Sequence, residues 1–535
     1  MATVKDATFA LLRELGITTI VGNPGSTEET FLKNFPDDFQ YVLALQEASV
    51  VGIADGLAQG LRKPVIVNVH TGAGLGNAMG VILTAFQNKT PLIITAGQQT
   101  REMLLNEPFL TNIQATELPK PWVKWSYEPA RAEDVPGAFL RAWATATQQP
   151  TGPVFLSLPL DDWDKEMPQP LALRTVSTRV GPDPERLAEF AARLSAAKSP
   201  VLVLGGDVAR AGAGAWADAV TLATRLGAPV WAGPFCERTP FPETHPLFAG
   251  ALPAAIGPLS QRLAGHDLIA VIGAPVFRYY PYVPGSYLPE GASLIQVTDD
   301  PDAAAKAAVG DSLVSDAGLF LHGVLPLIAE RPLPQRPPLR PAPAVPGPEL
   351  PLTPTAVFAT LKANAPADLV LTDESPSNIP AMEDQFRIDT PDTYYSFASG
   401  GLGWTMPASV GLALAERKSG RNRPVLCLMG DGSFQYSVQS LYTAARERAK
   451  VIYVVLQNEE YGILKEFAEL EETPNVPGLD LPGLDIVSLG KGYGVPSVKA
   501  ETTDDLATAF RAALAADGPT VIVVPITRKL VSLIS

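Results

Sequence analysis

Cysteine is almost missing from this sequence. Cys236 and Cys427 are the only two among 535 residues, and each lies in or beside an apolar stretch. That scarcity argues against a disulfide framework, and the pair reads as buried free thiols of a reducing compartment. Long apolar runs are missing too, since no uninterrupted stretch of about 20 apolar residues is available to cross a bilayer. The opening segment, MATVKDATFALLRELGITTIVG, carries acids within its apolar pattern and reads as an amphipathic helix entering a strand, not as a secretion signal. Positive charge is in deficit. A net charge of −15 argues against a nucleic-acid backbone or an anionic membrane as partner. The expected setting is the cytoplasm.

What is abundant is the alternation of short apolar strands with Ala-rich amphipathic segments. At roughly 150 residues per domain the chain holds about three or four domains. A proline-rich stretch, RPLPQRPPLRPAPAVPGPELPLTP, cannot be helix or central strand and marks a linker over 331–354. A weaker break lies near 166–186. The expected domains are therefore 1–165, 185–330 and 355–535. TTIVG, YVLAL, PVIVNVH, PLIITAG and GPVFLSLP are strands of the first. PVLVLGG, APVWAG, DLIAVIGA and SLIQVT belong to the second, and DLVLTDES, PVLCLMGDG, KVIYVVLQN and TVIVVP to the third. Continuous apolar strands between helices predict an α/β fold of three doubly wound parallel-sheet domains. In such sheets ligands sit beyond the carboxyl ends of strands.

Two such ends stand out. Asp431 follows PVLCLM between Gly430 and Gly432, and Asn458 follows VIYVVLQ. The glycines let backbone N–H groups approach a ligand closely. A carboxylate, an amide oxygen, a backbone carbonyl and diphosphate oxygens together suit the octahedral oxygen shell of Mg²⁺. Asp-Gly by itself is equally ordinary turn chemistry. The two ends together, with strand, helix and strand between them, are far more specific.

Gly-Asp-Gly followed at this spacing by Asn resembles the cofactor motif of the thiamine diphosphate-dependent decarboxylases, acetolactate synthases and oxidases. GNPGSTE, LALQEASVVGIADGLAQ, AGQQTREM, PKPWVKWSYEPA, GGLGWTMPA and NVPGLDLPGLDI extend the resemblance over the whole chain, in particular to the benzoylformate decarboxylases. It implies thiamine diphosphate and Mg²⁺ as cofactors, with the metal held by Asp431, Asn458 and the backbone carbonyl of Glu460. It places Ser433 and Tyr461 beside the diphosphate, and Gly400, Gly401 and Leu402 against the pyrimidine. Gln457 departs from the Asn-Asn pair common in the family. Glu47 lies at a strand-to-helix junction, where an acid also suits the helix dipole by about 0.3–1 kcal/mol. The resemblance gives it the sharper task of sharing a proton with the aminopyrimidine, which burial of a carboxyl favours. Leu402 would prop the cofactor in its bent form or simply pack.

Of four histidines, His245, His266 and His322 read as surface or capping residues, whereas His70 stands directly at a strand end. The resemblance makes His70 a proton carrier and Ser26 a hydrogen-bond partner of the substrate carboxylate, the first being a natural imidazole task. Tyr280 stands where these decarboxylases carry a second histidine, and a phenol is a weaker acid. Ile379, Ile463, Leu464 and Phe467 would wall the pocket, and the bulk of Ile463 would shift preference toward smaller or differently shaped 2-oxo acids. The implied reaction is non-oxidative decarboxylation of a benzoylformate-like 2-oxo acid to an aldehyde and CO₂, with carboligation to 2-hydroxy ketones as the alternative. The implied assembly is a homotetramer with each cofactor between two chains. A flavin-dependent oxidase would need a nucleotide site in the middle domain, for which VLVLGGDVARAGAGAW is too loose.

Overall fold

A computed structural model describes residues 2–168, 172–331, 337–530 and 533. Three six-stranded sheets, parallel throughout, succeed one another along the chain. The first contains β1 (Thr19–Asn23), β2 (Gln40–Leu43), β3 (Val65–Val69), β4 (Leu92–Gln98), β5 (Ser126–Tyr127) and β6 (Val154–Pro159). The middle sheet contains β7 (Pro200–Leu204), β8 (Val230–Ala232), β9 (Phe248–Ala251), β10 (Leu268–Ile272), β11 (Ser293–Thr298) and β12 (Asp311–Val314). The third contains β13 (Val370–Glu374), β14 (Tyr394–Tyr395), β15 (Val425–Gly430), β16 (Val451–Gln457), β17 (Ser497–Lys499) and β18 (Thr520–Pro525).

Central strands such as β3, β4 and β6 are buried along their whole length, which is why they read as unbroken Val/Ile/Leu runs. Each such side chain contributes about 1.5–3 kcal/mol when removed from water. Cys427 is fully buried in β15, whereas Cys236 is only half-buried, its thiol donating to the Arg238 carbonyl at 2.9 Å. Burial among apolar atoms holds the Cys427 thiol up, at about 12. The proline-rich connector has neither helix nor strand over 337–351; its residues 332–336, like 169–171 in the weaker break, lie outside the described residues. Arg340 fastens it to the third domain by donating to the Glu383 carbonyl at 2.6 Å.

The strand orders decide where ligands can sit. The first sheet runs β2-β1-β3-β4-β6-β5 and the third repeats that pattern as β14-β13-β15-β16-β18-β17. Connections leave in opposite directions between β1 and β3, and again between β13 and β15, which opens a crevice at each carboxyl edge. The middle sheet runs β12-β11-β10-β7-β8-β9, with its crevice between β7 and β10.

Four helices carry or adjoin the residues of these crevices: α1 (Glu47–Leu61), α2 (Thr71–Gln87), α3 (Thr405–Lys418) and α4 (Gly462–Leu470). α1 and α3 cross in backbone contact and join the first domain to the third. Glycine is required there, because a Cβ at Gly56 would run into the Ala408 carbonyl and one at Gly411 into the Ile53 carbonyl. None of the described helices is long and apolar enough to cross a membrane.

Candidate active site

The crevice of the first sheet receives the loop after β1 and the start of α2. Ser26 is exposed on that loop, and His70 is the single residue between β3 and α2. Gly25 has no side chain because one there would collide with the His70 ring. Glu28, on the same loop, was not singled out in the sequence, and it organises the crevice. Its Oε2 lies 2.9 Å from His70 Nδ1 and accepts the Gly25 N–H at 2.9 Å. Its Oε1 accepts the Gly97 N–H from β4 at 2.6 Å and the Thr27 hydroxyl at 2.9 Å. With Nδ1 donating to this buried carboxylate, the other ring nitrogen, Nε2, is left for the crevice, and the His70 side chain is 22% exposed.

Glu47 is the first residue of α1, whose amino end is capped by Gln46. Its carboxylate is buried and held from both sides. Asn23 Nδ2 donates to Oε1 and Asn77 Nδ2 to Oε2, each at 3.1 Å. Gly74 of α2 leaves the space the carboxylate fills. A carboxyl group fixed in this way can present one oxygen to a ring nitrogen while the amides hold its orientation.

In the third sheet, Gly430 of β15 pairs in register with Leu456 of β16, so Asp431 and Asn458 emerge from adjacent strand ends. Asp431 Oδ2 accepts the Glu459 N–H at 2.7 Å, and Oδ1 accepts the Gly432 N–H at 2.9 Å. Burial nevertheless lifts the Asp431 carboxyl to about 6. Glu459 has a left-handed backbone, φ 57°, unusual for a side chain of this size. The Leu481 N–H donates to its carbonyl at 2.7 Å, and Arg528 pairs with its carboxylate at 2.6 Å. The Glu460 carboxylate is drawn off by Lys465 at 2.5 Å, so only its backbone oxygen remains for a ligand. The Asp431 carboxylate, the Asn458 amide, whose Oδ1 accepts the Glu460 N–H at 3.3 Å, and the Glu460 carbonyl are oxygen donors of the kind that, with diphosphate oxygens, suits Mg²⁺. The residues present fit the group. Gly432 and Ser433 open the short helix Asp431–Tyr436, and Tyr461 packs so closely on Gly432 that a Cβ there would meet its ring at 2.5 Å.

Across the switch point, Glu374 at the end of β13 anchors the loop carrying Gly400, Gly401 and Leu402. Its carboxylate accepts the Gly403 N–H at 2.6 Å and the Thr405 N–H at 2.7 Å. Burial pushes this carboxyl up to about 7. Leu402 is half-buried beside it. The consecutive acids Asp373 and Glu374 at the end of an apolar strand were the available sequence signal.

α4 starts beside the turn at 376–378, where Ser377 approaches Gly462. The burial of α4 runs opposite to its polarity. Gly462 and Glu466 are buried, Ile463 and Phe467 only partly, and Leu464 is exposed. Its apolar face therefore opens outward as a wall. Tyr280, 60% exposed on a loop of the middle domain, meets Phe467 with ring centroids 4.9 Å apart. Ile379 begins the helix that follows the 376–378 turn.

The crevice of the middle sheet is filled by the chain itself. Lys89 from the end of α2 pairs with Asp207 and Asp299 at 2.8 and 2.5 Å, and Arg210 bridges Asp207 and Glu237 at 2.6 and 2.5 Å. A side chain at Gly206 would collide with the Glu237 carboxylate. This packing speaks against a flavin or other nucleotide at that edge.

Comparison with known proteins matches one segment within each of the three sheet-bearing parts of the chain. Residues 2–118 match the N-terminal TPP binding domain of thiamine pyrophosphate enzymes, 187–324 their central domain, and 379–524 their C-terminal TPP binding domain. Thiamine pyrophosphate is the same molecule as thiamine diphosphate. The chain is 47% identical to a benzoylformate decarboxylase of Pseudomonas aeruginosa over 98% of its own length and 99% of the relative's. It resembles the crystal structure of a benzoylformate decarboxylase from Polynucleobacter necessarius with a TM-score of 0.98 and 66% identity, covering 99% and 100% of the two chains. A thiamine diphosphate-dependent 4-hydroxybenzoylformate decarboxylase of Rhodococcus jostii gives a TM-score of 0.95 and 43% identity, covering 98% and 99%.

Proposed function

The chain belongs to the benzoylformate decarboxylase family of thiamine pyrophosphate enzymes, and from that premise we propose how its own residues carry out decarboxylation of an aromatic 2-oxo acid such as benzoylformate to the aldehyde and CO₂. The enzyme is a carbon–carbon lyase. The reading of its residues rests chiefly on the array of Asp431, Asn458 and the Glu460 carbonyl at two adjacent strand ends.

Bound thiamine diphosphate supplies a nucleophilic thiazolium carbon and the electron sink that lets carboxylate leave as CO₂. The chain contributes placement and protons. Asp431, Asn458 and the Glu460 carbonyl would hold Mg²⁺, which would supply the positive charge that a diphosphate needs in an acidic protein. Glu47, steadied by Asn23 and Asn77, holds a proton at the pyrimidine N1′. Leu402, half-buried on the glycine loop, would pack against the bound cofactor. Ser26 binds the substrate carboxylate, and His70 Nε2 moves a proton at the former keto group. Ile379, Ile463, Leu464, Phe467 and Tyr280 enclose the aromatic end.

The working unit is a homo-oligomer, a tetramer by analogy with the family, in the cytoplasm. Support comes from α2. Gly74 near its start touches Glu47, whereas Thr84 near its end bonds Ser399 of the glycine loop at 2.8 Å. Ten helical residues, about 15 Å, separate these two anchor points. That gap favours a cofactor shared between the first domain of one chain and the third domain of another.

Tyr280 favours a second outcome. With a phenol in place of an imidazole, protonation after CO₂ loss is slower, and capture by a second aldehyde gains. Incubation with thiamine diphosphate, Mg²⁺ and benzoylformate, following CO₂, benzaldehyde and acyloin, tests both. Equimolar CO₂ and benzaldehyde support the decarboxylase. Little CO₂, with acyloin formed from added aldehydes, would replace it with the carboligase.

A further inference from the structure

The stretch AGQQTREM ends β4 and begins a long segment that reaches β5 only at Ser126. That segment holds large apolar side chains in the open at the carboxyl edge of the first sheet: Leu105 is 92%, Phe109 89% and Ile113 68% exposed. A cluster of this kind marks a binding surface. The base of the segment is held tightly. Gln98, 3% exposed, donates from Nε2 to the Asn112 carbonyl at 2.8 Å and accepts the Asn112 N–H at Oε1 at 3.1 Å. One carboxamide thus bonds both polar groups of a single residue's backbone, as a neighbouring strand would. Gln99 adds a donation to the Phe109 carbonyl at 2.9 Å. Arg101 closes the base with a two-pronged pair to the buried Asp162, at 2.8 and 2.7 Å.

The clamp is connected directly to the reaction crevice. Gly97, the residue before Gln98, donates to Glu28, whose other oxygen holds His70. Asn112 packs on Gly72, two residues beyond His70, so closely that a Cβ there would lie 3.2 Å from the Asn112 Cγ. Phe109 and Leu110 lie between the anchor points at 99 and 112.

We propose that Gln98 is a positioning residue for substrate specificity: by clamping Asn112, which packs on Gly72 two residues beyond His70, it fixes the apolar rim of Phe109, Leu110 and Ile113 at the crevice, where that rim completes, together with the α4 wall, the enclosure of the aromatic end of a 2-aryl-2-oxo acid. This rests on the decarboxylase reading above. A short aliphatic 2-oxo acid does not extend to the rim and is indifferent to the clamp.

The test is Gln98→Met, which keeps the length and removes both bonds to Asn112, together with those to the Gln99 N–H and Glu128, in the full-length enzyme with thiamine diphosphate and Mg²⁺. The loss of two shielded hydrogen bonds raises KM for benzoylformate about fivefold while kcat stays within about twofold. The inhibition constant of 2-oxobutanoate as competitor is unchanged. Amide hydrogen exchange over 102–118 becomes about tenfold faster in the variant. Gln99→Ala, which cuts the second anchor, moves KM and exchange in the same direction. Unchanged exchange, an unchanged KM, or an equal fall in kcat and kcat/KM would each overturn the proposal. Should the wild-type enzyme turn over no 2-oxo acid while exchange still rises in the variant, the decarboxylase reading fails, the clamp stands, and the rim's assignment to an aryl substrate is withdrawn.

Discussion

Glu28 Oε2 sits 2.9 Å from His70 Nδ1, with the Glu28 side chain only 1% exposed. One buried carboxylate thereby sets the orientation of the imidazole and also satisfies N–H groups from the Gly25 loop and from β4. Its removal leaves several buried donors unpaired, at about 1–3 kcal/mol each. Glu28→Gln keeps the volume but cannot accept from every side. The expected result is a loss of about 100-fold in kcat, with a change in melting temperature of a few degrees. Steady-state kinetics and a thermal melt on the same preparation check it.

Buried acids of the middle and third domains predict a pH dependence of stability. Burial raises Glu374 to about 7, and raises Glu383 to about 7 and Glu243 to about 8. These folded-state values lie above the unfolded value, so between roughly pH 4.5 and 8 the folded protein binds more protons. Stability therefore falls as pH rises through that window. Urea unfolding midpoints at pH 5, 6, 7 and 8 should decline in that order, and Glu374→Gln should flatten the slope. A midpoint that rises from pH 5 to 8 would contradict the assignment.

In the proposed pocket, Ile463 on the outward apolar face of α4 would act as a size filter. Ile463→Ala frees several methyl groups' worth of space. It should raise kcat/KM for benzoylformate relative to straight-chain 2-oxo acids by about three- to tenfold, a methylene being worth about 1–3 kcal/mol in a pocket. An unchanged ranking removes Ile463 from the pocket wall.

Sharing of the site between chains has a simple signature. Glu47→Gln and Asp431→Asn should each be inactive alone. Hybrids refolded or co-expressed from both carry one intact site in two, so random mixing restores about a quarter of wild-type activity. Mixtures that stay inactive place both halves of the site on one chain.

Much of the fold and of the site is legible in the sequence. The central strands announce themselves because burial on both faces demands unbroken apolar runs, and Asp431 and Asn458 lie just beyond two of them. The edge strands β5, β9, β12, β14 and β17 do not, being two to four residues long and pairing on one side only. Glu28 and Gln98 are hidden for another reason. Their partners are gathered only by the fold: the parallel register of β1, β3 and β4 brings Gly25, His70 and Gly97 to the Glu28 carboxylate, and Gln98 meets Asn112 on the long segment after β4. Glu374 is legible only as one of two acids ending an apolar strand, which says nothing about the N–H groups of a loop some 30 residues on that it holds. The middle sheet's glycines look like a loose nucleotide motif until ion pairs fill the space.

The most direct test of the central claim is a comparison of the wild-type enzyme with Glu47→Gln, both saturated with thiamine diphosphate and Mg²⁺, on benzoylformate. Binding of the cofactor is measured by tryptophan fluorescence in the same samples. The account predicts equimolar CO₂ and benzaldehyde from the wild type. It predicts cofactor binding within a few-fold in the variant, with turnover lower by at least about 100-fold, because the carboxyl shares a proton that an amide cannot. Full turnover by Glu47→Gln, or no CO₂ from the wild type, would contradict it.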